Sequence, residues 1–200
     1  LNWHIYDGTL GVRKLCVGPL ENNVYIVACD RTHQAVIIDA ADEPERVLAA
    51  AVGLDVQAIL TTHRHADHHG AVEEVRQTLG VPFRIHADDA VEGVPPVETP
   101  IADGEIISFG NVSLQAIHTP GHTPGSTCFF GHGLLFSGDT LFPGGPGATN
   151  RSEDFTTIMR SLRERLFTLS DDTVVLPGHG PDTTIGAERP HLPEWEQRGW

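Results

Sequence analysis

The chain has 200 residues, a formal net charge of -14 and three cysteines. This length suits one domain, 1–200, with a short C-terminal tail from about residue 181, and a chain of this size buries roughly 70% of its extended surface without disulfide staples. Acidic excess repels phosphate backbones, which argues against nucleic acid as a partner, and no apolar run approaches the roughly 18 residues of a membrane span.

Strands are expected at Val12–Val17, Val24–Ala28 and Gln34–Ile38, the first two joined by a polar turn, Gly18 to Asn23. Pro44–Ala51 reads as a short helix, with proline in the first turn where its missing N–H costs nothing. Val56–Thr61 reads as a buried strand and Ala71–Leu79 as an amphipathic helix with Val72, Val75 and Leu79 on one face. After Phe83–His86, residues 87–104 are turn-rich. A second block of strands follows at Glu105–Phe109, Val112–His118, Thr127–Phe130 and Leu134–Ser137. Residues 143–150 read as a flexible loop, and Phe155–Leu169 as an amphipathic helix with Ser152 as its cap. Thr173–Leu176 is the last strand, and beyond His179 the chain is broken by Pro181, Pro190 and Pro193. Two similar halves of mixed strands and helices suggest a layered α/β sandwich rather than a doubly wound sheet.

Between the buried strand and its following helix stands Thr62-His63-Arg64-His65-Ala66-Asp67-His68-His69-Gly70. On an extended loop, His63, His65 and Asp67 are spaced two apart and face one way, while His68 reaches a second point where the helix begins. His122 lies in a turn framed by Pro120, Gly121, Pro124 and Gly125, after a strand. Asp139 follows another strand, and His179 sits between Gly178 and Gly180 after the last one. Asp139 and His179 are weak signals alone; their force is in an ordered set, each at a strand end. His118 reads as a packing or outer-shell histidine, His69 as solvent-facing or outer-shell, and Arg64 as a surface or backbone-bracing residue. Cys16, Cys29 and Cys128 read as buried free thiols, which with no visible secretory signal points to the cytoplasm.

The series His-x-His-x-Asp-His, His122, Asp139 and His179 resembles the metallo-β-lactamase superfamily. The stretches His-Thr-Pro-Gly-His-Thr-Pro-Gly-Ser and Ser-Gly-Asp-Thr-Leu-Phe look like its glyoxalase II branch, the hydroxyacylglutathione hydrolases and their shorter relatives. The resemblance implies an α/β fold, a four-layer αββα sandwich, and two divalent metal ions, Zn first, with Fe or Mn as alternatives. It implies that His63, His65 and His122 hold one metal, that Asp67, His68 and His179 hold the other, and that Asp139 bridges them. Asp67 and Asp139 are the catalytic carboxylates of this reading. The implied chemistry is hydrolysis by a hydroxide between the metals, acting on a small-molecule acyl-thiol substrate. A thiolate, with a thiol pKa of about 8.5, leaves unaided. The two tyrosines, Tyr6 and Tyr25, are far from the motifs in sequence, which favours a thioester over an amide or lactone. Full-length glyoxalase II enzymes carry a further helical region after the last ligand; here the chain ends at Trp200, so the glutathione contacts do not carry over. Arg151 is a candidate contact for an anionic substrate group and equally reads as a solvated residue before a helix. A lactonase or esterase on the same scaffold, or a mononuclear iron persulfide dioxygenase, is the alternative. The oligomeric state is left open.

Overall fold

The structure is a computed structural model that describes residues 4–6 and 8–199, with side chains from residue 8 onward. Strand alternation sets its layers. β1 (His4–Tyr6), β2 (Leu10–Val17), β3 (Asn22–Cys29), β4 (Gln34–Ile38), β5 (Asp55–Leu60) and β6 (Phe83–Arg84) form one sheet in sequence order. It is antiparallel as far as β4 and parallel from β4 to β6. β3 is buried along its whole length because both faces are covered. Tyr25, Val27 and Cys29 face the space between two sheets. Val24, Ile26 and Ala28 pack in the cluster that includes α1 (Pro44–Ala50) and α2 (Val72–Leu79).

β7 (Ile106–Phe109), β8 (Val112–His118), β9 (Thr127–Gly131), β10 (Leu134–Gly138), β13 (Val174–Pro177) and β14 (Thr183–Thr184) form the second sheet, in the order β14-β13-β10-β9-β8-β7. Only its β10–β13 pair is parallel. Phe109, Leu114, Phe129, Phe136 and Leu176 meet the first sheet's inner residues in the shared core. Leu135 and Val175 point the other way, into a cluster with Ile158, Leu162 and Leu166 of the long C-terminal helical stretch and with Trp195. The layers are therefore helix, sheet, sheet, helix, as the sequence led us to expect.

Several boundaries differ from the sequence reading. The helix expected at Phe155–Leu169 begins earlier, as α3 (Ser152–Ser161), and its continuation, Leu162–Leu166, widens into a π-type turn. Ser152 lies inside its first turn; Arg151 is the boundary residue, and no side chain caps the helix. The segment 143–150 is not a plain loop. β11 (Leu141–Phe142) and β12 (Gly145–Pro146) form a hairpin, and the buried Glu188 accepts a hydrogen bond from Gly144 N at 2.9 Å. Glu188 closes α4 (Ile185–Glu188), which is followed by a 3-10 turn (Arg189–His191) and α5 (Leu192–Arg198). Pro190 and Pro193 stand in the first turns of these last two elements, where proline is tolerated. Cys29 and Cys128 are buried free thiols, but Cys16 is exposed. Alternation along β2 buries Leu15 and Val17 and turns Cys16 out. Among the described residues no helix is long and apolar enough to cross a membrane.

Candidate metal centre

The loops after β4, β5, β8, β10 and β13 converge at one rim of the sandwich. β4, β5, β10 and β13 include the parallel pairs, so several chain segments leave the sheets on this side. Here the rings of His63, His65 and His122 gather, with pairwise centroid separations of 4.6–4.7 Å. His63 Nε2 and His122 Nε2 stand 3.0 and 2.9 Å from His65 Nδ1. A second group forms around His68: its Nε2 lies 3.2 Å from His179 Nε2 and 3.5 Å from Asp67 Oδ2. Asp139 stands between the groups, with Oδ1 3.4 Å from His68 Nε2 and Oδ2 3.6 Å from His122 Nε2 and 3.7 Å from His179 Nε2. His63–His65–His122, Asp67–His68–His179 and His63–His68–Asp139 each bring potential ligand atoms within 4.8 Å of one another.

The outward-facing ring nitrogens are tied to the protein, which sets where each ring aims its free lone pair. His122 Nδ1 donates to Ala148 O at 2.7 Å, and His179 Nδ1 to Leu20 O at 2.9 Å. His68 Nδ1 donates to Asp39 Oδ2 at 2.9 Å. Asp39 also accepts from Thr62 N at 2.7 Å and Thr62 Oγ1 at 2.8 Å, and Thr62 Oγ1 is 3.1 Å from His63 Nδ1. One buried carboxylate thus orients a residue of each group.

Titration follows these surroundings. Burial, reinforced by His68, His122 and His65, pushes His63 well below the usual histidine value. Burial and His122 lower His65. Burial opposes charge on His68 too, but Asp39 and Asp139 outweigh it and raise it to about 10. Burial favours the neutral acid at Asp67, yet Asn22 Nδ2, donating at 2.9 Å, and the neighbouring His68 and His179 hold it below the carboxylate range. Asp139 is likewise lowered against its burial, by His68 first.

The donor set fits a metal. His63 and His65 are biased to the neutral form that ligates. Asp139 Oδ1 is buried with no hydrogen-bond partner among the described residues and lies 3.4 Å from His68 Nε2; a metal cation between the two groups would offset the cost of burying it. Nitrogens and carboxylate oxygens without thiolate suit Zn, Fe or Mn.

Asp67 departs from the extended-loop reading. It lies in a 3-10 turn, Ala66–His68, so its carboxylate swings toward His68 and His179 rather than along the line of His63 and His65. His118 lies outside the two groups: its ring stacks on His86 at 4.1 Å and its Nε2 donates to Pro124 O. His69 is buried and its Nε2 donates to Arg64 O at 3.1 Å. Tyr25 is buried between the sheets with its hydroxyl on Pro177 O at 2.7 Å; the side chain of Tyr6 lies outside the described residues.

Four supporting residues had no usable sequence signal. Asn22 holds Asp67, and Asn23 Nδ2 donates to Pro177 O and Gly180 O, both at 2.9 Å, fixing the turn that carries His179. Asp39 was legible only as a polar residue ending a strand. Asp89, fully buried in a turn-rich stretch, accepts from Arg64 N at 3.0 Å, Gly125 N at 2.9 Å and Thr123 Oγ1 at 2.5 Å. It clamps the His63–His65 loop to the His122 turn. Gly125 leaves room for this: a Cβ there would lie 2.6 Å from Asp89 Cγ.

Known proteins share this frame. Residues 17–179 match the model of the metallo-beta-lactamase superfamily. The chain is 34% identical over 183 residues to the hydroxyacylglutathione hydrolase GloC of Haemophilus influenzae, covering 80% of this chain and 86% of that one. The crystal structure of the BLEG-1 B3 metallo-beta-lactamase superposes with a TM-score of 0.81 at 32% identity, covering 92% of this chain and 98% of that one. That of TTHA1623 in a di-iron-bound form superposes with a TM-score of 0.78 at 35% identity, covering 92% of this chain and all of that one. With matching residues along most of its length and the same fold, the chain belongs to the metallo-beta-lactamase superfamily.

Proposed function

We propose that this protein is a binuclear metal-dependent hydrolase that cleaves a thioester of a small acyl-thiol. His63, His65 and His122 would hold the first metal and Asp67, His68 and His179 the second, with Asp139 placed between the two groups. Two divalent cations held there would supply Lewis acidity and lower the pKa of the attacking water toward neutrality. The residues of the chain do the rest. Asp39 keeps the His68 proton on Nδ1, so Nε2 faces inward. Asn22 orients the Asp67 carboxylate, and Asp89 keeps the two loops of the first group in register.

The observation that carries the reading is the buried, hydrogen-bond-free Asp139 Oδ1 between two converging groups of imidazoles. The thioester is favoured by the leaving group. Tyr25, the one tyrosine with a described side chain, spends its hydroxyl on Pro177 O rather than on a departing atom. A thiolate needs no such donor, whereas an amide nitrogen or alkoxide does. The name of the H. influenzae relative supports this class, and the di-iron relative supports iron beside zinc as an occupant.

The test is hydrolysis of S-lactoylglutathione, a simple lactone and a β-lactam by one preparation of known metal content, before and after chelation. We expect thioester turnover that falls with the chelated metal and returns with Zn, Fe or Mn. Turnover of only the lactone or the β-lactam would move the protein to that class, and turnover insensitive to metal removal would end the binuclear reading.

A further inference from the structure

Beside the first histidine group lies a cavity of about 370 Å³, bordered by Arg64, His122, Thr123, Asn150, Arg151 and Thr157. We infer that this cavity is a carboxylate-binding subsite with Arg64 as its main contact, so that the substrate carries a carboxylate beyond the thioester.

Arg64 stands between His63 and His65, and alternation sends its side chain away from theirs. Its backbone is fixed on both sides, N–H to Asp89 and C=O to His69 Nε2. Among the described residues the guanidinium approaches protein charge at one point, with Nε 3.9 Å from Asp89 Oδ1. That carboxylate already accepts from Gly125 N, Thr123 Oγ1 and Arg64 N. Among the described residues no hydrogen bond reaches the two terminal nitrogens of Arg64. They are left as a planar pair of donors, a geometry that matches a carboxylate in two parallel bonds.

Arg151, across the same cavity, is different. It pairs with Asp154 through two hydrogen bonds of 2.9 and 3.0 Å, so its charge is largely offset. Arg64 is therefore the cation with capacity to spare. Asn150, Thr123 and Thr157 add polar rims, and His122 forms the wall shared with the proposed metal site, so a ligand held by Arg64 sits next to the reacting centre. Asp154 lines the cavity too and offsets Arg151, so the attraction for an anion rests on Arg64.

The substrate class rests on the thioester reading; the subsite itself does not. Either half of a thioester can bear the carboxylate, so the probes separate them. With the metal-loaded protein, calorimetry would compare S-methylglutathione, its diethyl ester and succinate. The wild type should bind at least one carboxylate probe about tenfold tighter than the ester, the loss expected for a charge-assisted pair. S-methylglutathione favoured over succinate places the carboxylate on the thiol half, and the reverse places it on the acyl half. Arg64→Gln should erase the preference, while Arg151→Gln should change it about two- to threefold. Carboxylates bound directly to metal are insensitive to Arg64, so an unchanged Kd in Arg64→Gln would overturn the inference, as would a wild type that does not distinguish acid from ester. Arg64-dependent binding without thioester turnover would refute the thioester and keep the subsite. Thioester turnover with no effect of Arg64→Gln would do the opposite.

Discussion

Asp39→Asn removes one charge and almost no volume at a site where every hydrogen bond has a direction. Asp39 accepts three: from Thr62 N at 2.7 Å, Thr62 Oγ1 at 2.8 Å and His68 Nδ1 at 2.9 Å. An asparagine retains one oxygen. If that oxygen stays on Thr62 N, its NH2 group meets the Thr62 hydroxyl and His68 Nδ1. The hydroxyl can rotate. The imidazole must become an acceptor at Nδ1, which moves its proton to Nε2, the atom facing Asp67, Asp139 and His179. With Nε2 given to a metal, the Nδ1–H would instead face the substituted NH2 group, donor against donor, so the metal-binding tautomer is disfavoured. Loss of an outer-shell partner of this kind costs about 10- to 100-fold in metal affinity, or roughly 1.4–2.8 kcal/mol. The effect should fall mainly on the second equivalent and more weakly on the first, because Thr62 Oγ1 also touches His63. The assay is titration of metal-free protein against a competing chelator, with thermal melting to show that the sheets remain. Wild-type affinity for both equivalents in a folded Asp39→Asn protein would refute the tautomer argument.

Gly178→Ala should fold and lose metal. A Cβ at Gly178 would collide with Asp139 Oδ1 and lie 2.6 Å from His68 Cε1, so a drop in metal per chain of at least about tenfold in apparent affinity is expected; full metal content and turnover would show that the gap can open at little cost. His86 gives a pH prediction. Burial, and His118 stacked on it, hold its pKa below the usual 6.5. The unfolded chain therefore takes up the proton first, so His86 costs stability as pH falls below about 6.5 until its folded value is reached. His86→Asn keeps an acceptor for Asp88 N and should flatten the acid side of the Tm–pH curve of chelated protein; parallel curves for the two proteins would contradict this.

The candidate site was largely legible in the chain because its side chains are chemically distinctive and each follows an apolar strand. His63, His65, His68, His122, Asp139 and His179 could be placed in order, and the structure brings them to one rim. The layer architecture was legible for a related reason: near-continuous apolar runs such as Val24–Cys29 belong to sheets covered on both faces. What the sequence could not show depends on contacts between distant segments. Asp39, Asp89 and Glu188 look like ordinary polar residues in turns or near the end of the chain, until folding buries them against Thr62, Gly125 and Gly144. Residues 143–150 read as a flexible glycine-rich loop, and only the pairing of 141–142 with 145–146, the contact of Gly144 with Glu188 and the bond from His122 to Ala148 O reveal a built wall. Arg64 alternates away from the histidines by local geometry alone, but whether it met solvent or a cavity was decided by the turn at 120–124 and the start of α3, which lie far along the chain. Local pattern determined which residues could ligate and which faces were apolar; the packing of two sheets determined which buried carboxylates hold those candidate ligands and which side chains border the cavity beside them.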